Sequence, residues 1–119
     1  MTMKTIADIA VGVVALLHVY FLVLEMFLWD KPYGLKTFGM NAEKAAATKP
    51  LAMNQGLYNG FLAAGLAWGL ALGPAGFSVK CFFLACIVAA GIFGALTASR
   101  KILWVQALPA AIALELLLL

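Results

Sequence analysis

The sequence predicts an all-α protein, a bundle of four transmembrane helices with both termini on the non-cytoplasmic side. Three observations predict it. The chain is 66% hydrophobic and 11% charged, against about 45–50% and about 25% in soluble domains. Its apolar residues fall into four long blocks, and most of its basic residues lie in two of the intervening segments. A soluble domain of 119 residues leaves a large share of its surface exposed, so lipid is the expected solvent for much of this one.

A membrane-spanning helix needs about 20 mostly apolar residues. Four segments qualify on that count, 5–29, 50–72, 77–98 and 102–119, within a single domain covering 1–119. The first block is too long for the apolar region of a signal peptide, and no small-residue cleavage site follows it. Gly73-Pro74-Ala75-Gly76 predicts a tight turn, and Ser99-Arg100-Lys101 a short basic one. The longer connection, 30–49, opens with the turn sequence Lys31-Pro32-Tyr33-Gly34. Asn41 is an expected N-cap for a short helix running into the alanines. Pro50 fits the first turn of the second span, where a missing N–H costs little.

Orientation follows from the cations. Lys31, Lys36, Lys44, Lys49, Arg100 and Lys101 fall on one side and only Lys4 and Lys80 on the other. Basic loops stay in the cytoplasm, so the first and third loops are expected there. The net charge of +3 does not point to nucleic acid, because the basic residues flank apolar blocks rather than forming one face. Cys81 and Cys86 point about 140° apart on a helix, which favours reduced packing thiols over a metal site or a mutual disulfide. Gly56, Gly60, Gly65, Gly69 and Gly73 recur at four- or five-residue spacing, and Gly91 and Gly94 follow in the third span. Small residues at this interval let helices approach closely in lipid, either within the chain or in a homo-oligomer. Trp29, Trp68 and Trp104 suit the membrane interface.

The informative residues are polar. Asp8, Val11, Ala15, His18, Leu22, Glu25 and Trp29 share one heptad seam, so three ionisable groups face the same way. A charge at mid-bilayer costs at least about 2.5–3.5 kcal/mol, and such groups normally face protein or a watery cavity. The second span begins with Asn54, Gln55, Tyr58 and Asn59, and Gln106 enters the fourth span from the same cytoplasmic side. Asn54 and Tyr58 lie one turn apart, as do Gln55 and Asn59. By helical rise, Asn54 and Gln55 reach the depth of Glu25, and Asn59 that of His18. Thr97 ends the third span near that level. Glu115 is expected to snorkel near the outer edge.

Two interpretations compete. In one, these groups form a hydrogen-bonded network that fixes helix packing, each bond worth roughly 0.6–2 kcal/mol. In the other, they line a pocket open to the cytoplasm, with apolar walls and a few convergent polar groups. A carboxylate and an imidazole are costly choices for packing alone, which favours the pocket. Its expected lining is His18, Glu25, Asn54, Gln55, Tyr58, Asn59 and Gln106.

Several of these residues also carry a pattern. Leu24-Glu25-Met26-Phe27-Leu28-Trp29, Phe38-Gly39 and the run from Asn54-Gln55-Gly56-Leu57-Tyr58-Asn59-Gly60 to Gly65 resemble the bacterial membrane family called domain of unknown function 1304. Ser99-Arg100-Lys101-Ile102-Leu103 and Gln106-Ala107-Leu108-Pro109 fit as well, so the resemblance covers nearly the whole chain. It implies a multi-pass, four-helix protein of the bacterial inner membrane and brings no agreed activity or cofactor.

Three functions are compatible with these features. The first is a membrane module that binds a small lipophilic or amphipathic molecule in the polar pocket. The second is an enzyme in which His18 and Glu25 serve as proton donor and acceptor for an isomerisation or hydration. They stand about 10 Å apart along the axis, so a substrate would lie between them. The third is a proton-coupled transporter, since the size and layout resemble the small multidrug resistance exporters, although their sequence motifs are missing. No nucleotide loop, zinc motif, haem motif or nucleophile elbow occurs, and no metal or cofactor is predicted.

Overall fold

Long runs of Ala, Leu, Val and Phe without interior proline make α1 (Met3–Met26) a continuous helix. The computed structural model describes residues 1–119 and is all-α: α1 is followed by α2 (Pro32–Phe38), α3 (Ala42–Ala71), α4 (Phe77–Thr97) and α5 (Leu108–Leu118). A 3₁₀ turn over Gly73–Gly76 precedes α4, and a π-helical turn over Leu103–Ala107 precedes α5.

The connection between α1 and α3 differs from the sequence expectation. Lys31-Pro32-Tyr33-Gly34 begins a short helix instead of a turn, with Pro32 in its first turn and Lys31 extended before it. Proline's fixed φ is pre-organised for that position. Gly39, at φ 62°, ends α2 in the left-handed conformation, and its N–H bonds back to the helix. Asn41 does cap α3, accepting from the Lys44 N–H at 2.7 Å. That helix then runs unbroken through Pro50, which lies well inside it and not in its first turn. Proline has no N–H for the Ala46 carbonyl. Both residues are exposed, so the unbonded carbonyl remains at the surface and the flanking alanines carry the helix on.

Two helical stretches, Met3–Met26 and Gly73–Thr97, are long and apolar enough to cross a membrane. Leu103–Leu118 is apolar but shorter. The fourth predicted block splits because the π-helical turn over Leu103–Ala107 precedes α5. The second is absorbed into α3, 30 residues long, whose first half carries Glu43, Lys44, Lys49, Asn54 and Gln55, with Asn59 just beyond it.

The chain forms two compact units. One comprises Met1–Leu16 and Leu62–Leu119. Its core is Val11, Val14, Leu66, Leu84, Ile87, Ala110 and Ala113, all essentially inaccessible. Small residues set its spacing. A Cβ on Gly91 would come within 2.6–2.8 Å of the Ala107 N, Cα and Cβ atoms, so α4 and the π-helical turn meet backbone to backbone. Cys81 and Cys86 are free and half-buried on α4. The other unit comprises Leu17–Phe61, the C-terminal part of α1, α2 and the first part of α3. His18, Leu24, Ala45, Ala52 and Asn59 are buried there.

Candidate functional site

Glycines decide how closely α1 and α3 approach in the second unit. A Cβ on Gly56 would stand 2.5 Å from Met26 Cγ and 3.2 Å from the Leu22 carbonyl oxygen. One on Gly60 would stand 2.7 Å from Leu22 Cδ1. The glycine spacing therefore brings two helices of one chain together at Leu22, Glu25 and Met26. Asn59, beside Gly60 and 4% exposed, donates from Nδ2 to Glu25 Oε1 in a short hydrogen bond. A carboxylate offers about four acceptor sites, more than one carboxamide can fill.

The remaining predicted residues divide. His18 is completely buried, with its ring edge-on to Phe21 at 5.2 Å. Asn54, Gln55 and Tyr58 are exposed on α3, and Tyr58 packs beside Phe61. Gln106 is half-buried in the π-helical turn of the other unit. π-Helical turns recur at functional sites, and Gln106 is the only carboxamide in this one. Every residue of the predicted α1 seam from Asp8 to Trp29 is buried or half-buried. The seam is thus an inward face, while three of the four polar residues at 54–59 are not.

Around the pair, polar links tie down the connection after α1. Trp29 Nε1 donates to Thr48 Oγ1 at 3.0 Å, and its ring meets Phe38 at 4.7 Å. Tyr20 and Tyr33 share a short hydroxyl–hydroxyl bond. Lys49 Nζ donates to Asp30 Oδ2 at 2.9 Å. That bond holds the Asp30 carboxyl below the usual range.

The other unit contains a polar pair that sequence reasoning missed. Lys80 Nζ donates to Asp8 Oδ1 at 2.9 Å, with the lysine side chain 4% exposed and the aspartate 35%. The sequence suggested an edge lysine, but Gly69 makes room for an inward one. A Cβ there would stand 2.6 Å from Lys80 Cγ. A cavity of about 390 Å³ adjoins Lys80 and includes none of the predicted site residues. The available signal was a lone acid near the start of α1 and a lone lysine near the start of the third apolar block. Their separation of 72 residues hid the pairing.

Fold and site together define an all-α protein with a carboxylate–carboxamide pair held between two closely packed helices. Residues 12–118 match the family described as Protein of unknown function (DUF1304), and the chain belongs to that family. It is similar to a Lactococcus lactis subsp. lactis (strain IL1403) protein named Uncharacterized protein YpaA. The two are 31% identical over 95 residues, covering 78% of this chain and 80% of that protein. No solved structure matches the chain.

Proposed function

We propose that this is a four-span integral membrane protein that binds a small lipophilic or amphipathic molecule at Glu25 and Asn59, in the cytoplasmic half of the membrane. The observation that carries the proposal is the Glu25–Asn59 hydrogen bond. A costly carboxylate stands in an apolar helix against a neutral partner, with acceptor capacity to spare. A ligand donor such as an amine, amide or hydroxyl uses that capacity, while apolar neighbours take its hydrocarbon part. Exposed Asn54, Gln55 and Tyr58 form the approach.

The membrane assignment draws support from the surface. Leu16, Phe82, Phe93 and Leu96 are 63–81% exposed, and broad exposed apolar surface marks contact with membrane or protein. In lipid such side chains cost nothing. The positive-inside distribution supports a cytoplasmic connection after α1.

Native mass spectrometry of protein released from its own membranes in lipid nanodiscs tests the binding proposal. The expected result is a small-molecule adduct on the wild type that is lost in Asn59→Ala. A wild type without any adduct, or an adduct indifferent to Asn59, would overturn it. Labelling of single cysteines placed at 36 and 100 tests topology: both react from the cytoplasmic side only.

A further inference from the structure

The Lys80 side chain is 4% exposed and adjoins the cavity of about 390 Å³ formed with Met3, Lys4, Ala7, Pro74, Phe77 and the end of α5. The cavity's size is at the small end of the roughly 300–1,000 Å³ typical of ligand pockets. Its walls are mostly apolar, and its two charged lining residues are both lysines.

Charge decides the class of occupant. Asp8 balances the Lys80 ammonium, and the Lys4 ammonium lines the same cavity. An ammonium carries three donors, and the Asp8 bond occupies one on Lys80. The stem of Lys80 lies against Gly69, so its head is held in place before any ligand arrives. Leu119, 80% exposed, stands at the rim. The combination offers two ammonium groups as N–H donors, one of them fixed, and apolar walls. Anions whose oxygens accept from ammonium groups form the stronger, charge-assisted class of hydrogen bond.

We propose that this cavity binds a single-chain amphiphile with an anionic oxygen head, the head meeting Lys4 and Lys80 and the start of the chain lying against Phe77 and the leucines of α5. Its volume suits one chain better than two. The site is independent of Glu25 and Asn59, so either proposal stands if the other fails.

Photolabelling of the full-length protein in nanodiscs tests it, with diazirine palmitate as probe and mass spectrometric mapping of the crosslinks. Crosslinks are expected at Met3–Ala7, Phe77–Lys80 and Leu116–Leu119. Unlabelled palmitate and lysophosphatidic acid compete, whereas neutral monopalmitin competes at least about tenfold more weakly, as loss of a charge-assisted bond predicts. Lys4→Glu, at an exposed position, weakens labelling several-fold without loss of folding, and Lys80→Met abolishes it. The proposal is overturned if monopalmitin competes as well as palmitate, if crosslinks map elsewhere, or if Lys4→Glu labels like the wild type. It is also overturned if inorganic phosphate alone displaces the probe as well as palmitate does, since the site would then serve a soluble oxyanion.

Discussion

Each unit contains a partly or fully buried polar pair, and the two are matched differently. In the Leu17–Phe61 unit the Glu25 carboxylate meets a neutral carboxamide. In the other unit Asp8 meets the ammonium of Lys80. The ion pair is balanced within itself, and removing one partner strands the other charge. The Glu25–Asn59 pair has no counter-ion, and a carboxyl group has more acceptor sites than one carboxamide fills, so it is the better place for an exchangeable ligand with a donor group.

The strongest way to break this contrast is to strand the buried lysine. Asp8→Asn should destabilise the protein by about 3 kcal/mol, the usual cost of breaking a buried pair, read as loss of chemical-denaturation stability in detergent. Lys80→Met should cost less, because Asp8 is 35% exposed and solvent screens it. The double variant should recover much of the loss, a coupling that a double-mutant cycle measures directly. If the single changes simply add, the pair is no lock.

Next in size is Gly56→Val. Even its Cβ would meet Met26 Cγ at 2.5 Å, and overpacking of this kind costs roughly 1–3 kcal/mol. It should also separate Asn59 from Glu25, which distance measurements between spin labels on α1 and α3 would detect. Asn59→Ala should cost about 1–3 kcal/mol, since it removes a hydrogen bond from a half-buried carboxylate. Gln at position 25 keeps an acceptor for Asn59 and should be nearly neutral for stability.

The smallest effect belongs to the half-exposed Lys49–Asp30 pair. The Lys49 bond depresses the Asp30 pKa, so its contribution is present above the unfolded carboxylate pKa of about 3.9 and is lost as pH falls through the lower folded value. Lys49→Gln should return Asp30 to the ordinary range, as a carboxyl carbon NMR titration would show, with little change in stability at neutral pH.

Much of the fold was legible because it is local. Apolar length placed α1 and α4 within a few residues of their ends. Asn41 announced its cap through side-chain chemistry, and Gly56 and Gly60 announced a close approach that the structure shows within one chain. Pro50 misled because one missing hydrogen bond is tolerable at an exposed position within an alanine-rich helix. Lys31-Pro32-Tyr33-Gly34 misled because proline starts helices as readily as turns. Helical rise matched Glu25 with Asn54 and Gln55 and put Asn59 at the depth of His18, whereas Asn59 is the residue that bonds Glu25 and Asn54, Gln55 and Tyr58 are exposed. Rise along one helix does not report where its neighbour crosses it. The Lys80 cavity depends on residues from both ends of the sequence, and no local pattern reports it.

The most direct test of the contrast is one variant, Glu25→Gln, followed in two readouts: unfolding in detergent and retention of a co-purifying molecule by native mass spectrometry. The prediction is an unchanged unfolding midpoint with the adduct lost. A lowered midpoint in a protein whose wild type never held an adduct would contradict it and make the Glu25–Asn59 pair packing alone.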